Sequence, residues 1–280
     1  SSAVARKLHI PAMVIGMTIV AMGTSLPECA VSVTASIAGS NELAVSNVVG
    51  SNIFNLMVVC GACALWTPMA VSQSTLKQEL PFSIAMGLIL LILGYSGMEI
   101  SRADGLIFIV IFVCFLMWMV RAAKVNPVQQ EEGEAKMLSG WKCVLYILLG
   151  GAAIMWGGDL VVDSASAIAA NFGLSQNLIG LTIVAMGTSL PELVTSVVAS
   201  RKGEVDMGSN VFNILMVLGA ADAISPIAFV QENMMDIILL TGMSLIVWVF
   251  AWTKKQVRRS EGIIMLLVYA AYMVYICVRN

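Results

Sequence analysis

TIVAMGTSLPE at residues 18–28 recurs without a change at residues 182–192. Each copy sets a glutamate, Glu28 or Glu192, directly after a proline and among apolar residues. The surroundings decide what such a residue means. The chain has 280 residues, of which 59% are hydrophobic and 11% charged, with a mean hydropathy of +0.91. Soluble domains average about 45–50% apolar and about 25% charged residues. This excess fits a bilayer, where only helices and closed barrels satisfy every backbone polar group. Strand-like alternation is absent and long apolar runs dominate, so the fold class is an all-α membrane protein.

Nine apolar spans stand out, at 11–38, 44–66, 80–97, 104–122, 141–162, 175–200, 207–224, 234–252 and 261–278. Each is near the roughly 20 residues a spanning helix needs. The long polar connection at 124–140 divides the chain into halves 1–123 and 141–280. The halves repeat each other. GSNIFN at 50–55 matches GSNVFN at 208–213, Pro68 matches Pro226, and Arg102-Ala103-Asp104-Gly105 matches Arg259-Ser260-Glu261-Gly262. One irregularity interrupts the match: Gly50 follows Glu28 by 22 positions, whereas Gly208 follows Glu192 by only 16, a deficit of six. The span at 141–162 has no partner before residue 11. Ser1–Leu8 reads as the tail of a helix, so a tenth helix is expected upstream of Ser1.

Lys and Arg gather in cytoplasmic loops. With the N-terminal edge placed in the cytoplasm and the spans alternating, all of the 15 Lys and Arg residues except Arg102 and Arg279 fall inside. The first TIVAMGTSLPE then runs outward and the second inward. The halves are inverted-topology repeats, an architecture that transporters use to alternate access to a midplane site.

A charged residue at a helix centre costs at least ~2.5–3.5 kcal/mol on insertion scales. No Lys or Arg stands in the middle of any span to neutralise Glu28 and Glu192. A cation or proton from outside the chain is the expected partner. Thr24, Ser25, Glu28 and Ser32 crowd one helical face with oxygens, and Thr188, Ser189, Glu192 and Ser196 repeat the set. Oxygen-only ligation suits Ca²⁺ or Na⁺, and no His/Cys set for zinc or copper is present. Pro27 and Pro191 kink the helices and loosen carbonyls nearby, at Gly23 and Gly187 and at Ala21 and Ala185. In the second motif, Ser51 and Asn55 share a face, as do Ser209 and Asn213, while Gly50 and Gly208 permit close helix approach. Asn52 and Asn210 point elsewhere and are expected either to cap or to bond between helices. The six cysteines and the single histidine, His9, read as incidental. No basic stripe suggests nucleic acid.

GTSLPE followed by GSN-x-FN, twice and inverted, resembles the α-repeats of the cation/Ca²⁺ exchanger superfamily, and most nearly the prokaryotic sodium/calcium exchangers. The resemblance spans almost the whole chain. It implies a ten-helix fold and exchange of Ca²⁺ for Na⁺ by alternating access. It implies that Glu28 and Glu192 bind Ca²⁺ together with the carbonyls of Thr24 and Thr188. It implies Na⁺ sites at Ser25, Ser51, Ser189, Ser209 and the carbonyls of Ala21 and Ala185, with Asn55 and Asn213 completing the centre. Some members carry Asp where this chain has Asn213, and Asn there resembles the potassium-independent branch. The expected setting is the inner (plasma) membrane, with Ca²⁺ and Na⁺ as substrates, no cofactor and no obligatory protein partner. A Ca²⁺/H⁺ antiporter on the same scaffold is the main alternative reading. An intramembrane enzyme using the two carboxylates for acid/base work is a distant one.

Overall fold

The computed structural model describes residues 21–125, 171–200 and 208–279, with scattered helical positions between 141 and 170. The predicted span at 141–162 and the polar connection lie mostly outside the described residues, as do residues 201–207, where the deficit of six falls. The first half contains α1 (Ala21–Thr24), α2 (Leu26–Ile37), α3 (Asn41–Trp66), α4 (Thr75–Gly97) and α5 (Arg102–Val125). In the second half α6 is built from Gln176–Ile179, a π-helical turn Gly180–Val184 and Ala185–Thr188. It is followed by α7 (Leu190–Ser200), α8 (Gly208–Ile224), α9 (Gln231–Lys254) and α10 (Arg259–Arg279).

Among the described residues, six helical segments are long and apolar enough to cross a bilayer, and α2 and α8 are shorter apolar helices. The chain is therefore a multi-pass integral membrane protein. Its layering follows from burial. The most apolar window of α3 is 83% buried, against 28% for α5 and 22% for α10. So α3 is the axial helix, and α5 and α10 are peripheral. Exposed Leu106, Val110, Leu267 and Val278 give these outer helices apolar faces suited to lipid.

Local signals explain the ends and breaks. Gly39 at φ 76° ends α2, with Ser40 N–H donating to the Ala35 carbonyl at 2.8 Å, a Schellman closure. The predicted spans at 11–38 and 175–200 are not single rods. Ser25 (φ −89°, ψ 10°) separates α1 from α2, and Ser189 (φ −89°, ψ 5°) separates α6 from α7. Pro27 and Pro191 then stand in the first turn of the new helix, where a missing N–H costs nothing. Asn55 opens a π-helical turn in α3 (Asn55–Val59), and Asn213 opens one in α8 (Asn213–Leu218). Such turns are rare and gather at functional sites.

Two short antiparallel strand pairs join the halves. β1 (Met69–Ala70), after α3, pairs with β4 (Gln256–Val257), after α9. β2 (Glu99–Ile100), after α4, pairs with β3 (Ile227–Ala228), after α8. Exchanging the halves turns one pair into the other. Since α4 runs from β1 to β2, the pairs lie at opposite ends of the bundle.

Helix crossings obey the same exchange. A Cβ built on Gly262 would lie 2.7 Å from the Gly61 carbonyl oxygen, and one on Gly105 would lie 2.7 Å from that of Gly219. Thus α10 crosses α3, and α5 crosses α8, each by glycine against glycine. This is the close approach that small residues give membrane helices in place of a hydrophobic driving force.

Candidate functional site

The breaks at Ser25 and Ser189 set the geometry of the centre. Each turns its hydroxyl across to the other half. Ser25 Oγ donates to Glu192 Oε1 at 2.8 Å, and Ser189 Oγ donates to Glu28 Oε1 at 2.9 Å. The Thr24 and Thr188 hydroxyls lie beside Glu192 and Glu28 respectively, and the two carboxylates stand within electrostatic reach of each other. Glu28 is fully buried and Glu192 is 4% exposed.

Among the described residues, one oxygen of each carboxylate accepts a serine hydroxyl. Glu28 Oε2 and Glu192 Oε2 are buried, with no hydrogen-bond donor among the described residues. No described cationic side chain faces either glutamate. Arg279 is committed to Asp236 through two bonds of 2.9 Å. A buried carboxylate oxygen left bare carries the full cost of its desolvation. A positive charge at the centre would offset that cost.

The second motif surrounds it. Ser51 Oγ lies 3.3 Å from Thr188 Oγ1 and 3.5 Å from the Ala185 carbonyl. Asn52 and Asn210 exchange bonds, each donating Nδ2 to the other's carbonyl at 3.2 Å, which stitches α3 to α8. Of the two roles expected of them, capping or bonding between helices, this is the second. Asn213 donates to Asn52 Oδ1 at 3.1 Å and keeps its own Oδ1 without a donor. Both side-chain polar atoms of Asn55 are buried without a described partner. Asn55, Glu192, Ser209, Ser196 and Asn210 line a cavity of about 10 Å³, room for about one water-sized occupant. Pro27 and Pro191 are buried beside the glutamates they precede. Ala21 stands in α1, at the place Ala185 holds in α6, and its side chain lies outside the described residues.

The structure thus gathers the glutamates, Ser25, Ser189, Thr24, Thr188, Ser51 and Ala185 in one group of contacts, and Glu192 also borders the cavity with Asn55 and Ser209. Five of the orphaned atoms, Glu28 Oε2, Glu192 Oε2, Asn55 Oδ1, Asn210 Oδ1 and Asn213 Oδ1, are oxygens that suit a hard cation, and Asn55 Nδ2 is the one nitrogen beside them.

Sequence reasoning passed over several buried polar residues. Asn47 on α3 bonds to the Glu28 carbonyl and to Ser32. Ser46, Asn177 and Asn233 form a cluster joining α3, α6 and α9. Asp222 on α8 and Asp236 on α9 are fully buried. The available signal was an Asn or Asp inside an apolar run, which at membrane depth is a functional candidate by default.

Comparison with known proteins identifies the family. The family model described as sodium/calcium exchanger protein matches residues 1–121 and 142–278. A putative antiporter, CaxA, from Alkalimonas amylolytica is 39% identical over 97% of this chain and 90% of its own length. The inner membrane protein YrbG of Escherichia coli is 34% identical over 95% of this chain and 86% of its own. Among solved structures, the sodium-calcium exchanger NCX_Mj superposes with a TM-score of 0.76 at 28% identity, covering 98% of this chain and 90% of that one. The chain belongs to the sodium/calcium exchanger protein family.

Proposed function

We propose that this chain is a secondary active antiporter that exchanges Ca²⁺ for Na⁺ by alternating access, electrogenically and without K⁺. Glu28 and Glu192 hold the ion, with Ser25, Ser189, Ser51, Ser209, Thr24, Thr188, Asn55, Asn213 and the carbonyls of Ala21 and Ala185 as further oxygens, and Pro27 and Pro191 shape the breaks that bring them in. The observation that carries this reading is the reciprocal serine–glutamate crossing, which leaves one bare oxygen on each carboxylate.

The two carboxylates together bear a charge of −2, which a single Ca²⁺ neutralises. A loaded centre is charge-compensated, whereas an empty one exposes bare carboxylates to a low dielectric. Closing the helices over the centre is favourable only when it is loaded, which couples the ions and prevents leak. More than two Na⁺ per Ca²⁺ moves net charge, worth ~2.3 kcal/mol per charge per 100 mV, so the membrane potential assists Ca²⁺ extrusion. Asn213, an uncharged amide, supports the K⁺-independent form.

The Lys- and Arg-rich ends support an orientation in the inner membrane with β1–β4 facing the cytoplasm. Lys77, Lys254, Lys255, Arg258 and Arg259 all lie in sequence near these strands. The division into two inverted halves about residues 124–140 belongs to the same proposal.

Proteoliposomes loaded with Na⁺ and diluted into Na⁺-free ⁴⁵Ca²⁺ at clamped pH test the coupling. Uptake that collapses when the Na⁺ gradient is removed supports the proposal. Uptake driven by a pH jump alone replaces Na⁺ with protons and turns the chain into a Ca²⁺/H⁺ antiporter.

A further inference from the structure

The twofold match between the halves fails at one buried residue beside the glutamates. Asn47, fully buried on α3, donates Nδ2 to the Glu28 carbonyl at 3.2 Å and to Ser32 Oγ at 2.9 Å, and its Oδ1 accepts from Thr188 Oγ1 at 3.3 Å. One amide therefore ties α3 to α2 and to α6. Its three partners are Glu28 itself, the serine one turn beyond it, and the threonine that also meets Ser51. Asn47 lies between Ser51 and the start of α3. That places these bonds on the β2–β3 side of the centre.

The second half has neither Asn nor Gln from Leu193 to Met207. Ser196, which holds in α7 the place Ser32 holds in α2, lines the cavity of about 10 Å³ with Glu192 and Ser209. The serine that Asn47 binds in one half therefore borders open space in the other.

We infer that Asn47 is a latch, a positioning residue whose three bonds hold the approach to the glutamates shut from the β2–β3 end. Opening toward that end requires those bonds to break. They bias the two access states toward the one closed at β2–β3. The inference rests on the antiport reading of the same centre.

The consequence is measurable, because the apparent affinity on each face scales with the population of the state open to that face. Losing the latch shifts that population toward the β2–β3 side. In right-side-out and inside-out vesicles of the full-length protein, the KM for Ca²⁺ is measured separately on each face. Asn47→Ala is expected to change the ratio of the two KM values by roughly tenfold in favour of the β2–β3 face, given two or three neutral hydrogen bonds at their usual net worth. Ser32→Ala removes one of the bonds and moves the ratio the same way by less. It also serves as the readout should Asn47→Ala fail to accumulate.

General damage to the centre would raise both KM values together, and that result overturns the latch. So does a ratio unchanged within about twofold in both variants. Unmodified vesicles that carry Ca²⁺ from neither face overturn the transport reading and the latch with it. Unmodified vesicles that carry Ca²⁺ while the variants leave the ratio in place overturn the latch alone.

Discussion

Ser25 donates its hydroxyl to Glu192 across the two halves of the chain, at 2.8 Å and with both residues buried. Its counterpart, Ser189, does the same to Glu28 at 2.9 Å. The carboxylates are thus each oriented by the opposite half, and neither half makes a site alone. Net hydrogen bonds to charged groups contribute about 1.5–3 kcal/mol, or roughly 10- to 100-fold in affinity. Ser25→Ala and Ser189→Ala should each weaken Ca²⁺ binding by about tenfold or more, and by similar amounts. Calorimetric Ca²⁺ titration of the purified protein measures this, and a strongly one-sided loss would contradict the crossing.

Glu28→Gln and Glu192→Gln keep the shape of the centre and remove one charge each. A centre of charge −1 no longer matches Ca²⁺. Gradient-driven ⁴⁵Ca²⁺ uptake is expected to fall to background in each variant. Retained transport in either one would refute the assignment of the pair as the ion site.

The glycine crossings predict where the bundle tolerates no side chain. Gly262→Ala sets a methyl 2.7 Å from the Gly61 carbonyl, and Gly105→Ala sets one 2.6 Å from the Ala223 backbone nitrogen. Overpacking of this kind costs about 1–3 kcal/mol. Both variants should melt earlier in a detergent thermal-shift assay. Gly242 in α9 has nothing within 4 Å of its would-be Cβ, so Gly242→Ala should stabilise by about 0.5–1 kcal/mol through helix propensity.

Asp236 is fully buried, holds Arg279 through two bonds of 2.9 Å and accepts from Tyr272 Oη at 3.4 Å. Removing the cation alone leaves a buried charge, at a cost of about 3–5 kcal/mol. Arg279→Met should destabilise strongly, and Asp236→Asn combined with it should restore most of the loss. A double variant no more stable than the single one would show that the pair does not balance charge.

Asp222 is buried on α8, and both its carboxylate oxygens lack a partner among the described residues. Three positions after Gly61, where Asp222 stands three after Gly219, the first half has Ala64. Asp222→Ala removes a group that gives no described bond in return for its desolvation. The melting temperature should hold or rise, and a fall of several degrees would reveal an interaction that burial and hydrogen bonding do not account for.

Much of this molecule could be read from the chain itself. The apolar runs determine helices, because a bilayer leaves the backbone no other partner. The repeated TIVAMGTSLPE and GSN-x-FN strings, with the Lys and Arg distribution, are the basis for reading two inverted halves and for singling out Glu28 and Glu192. Periodicity could not reveal the breaks at Ser25 and Ser189 or the π-helical turns opened by Asn55 and Asn213. The breaks let Ser25 and Ser189 reach glutamates distant in sequence, and Asn213 likewise meets Asn52 of the other half, contacts that no local pattern encodes. The same holds for the crossing of serines onto opposite glutamates, the choice of Asn52 rather than a glutamate as the partner of Asn213, and the hold of Asn47 on Glu28, Ser32 and Thr188. A sequence pattern says which residues share a helix face, whereas which face meets which is settled only when the glycine crossings and strand pairs bring the helices together.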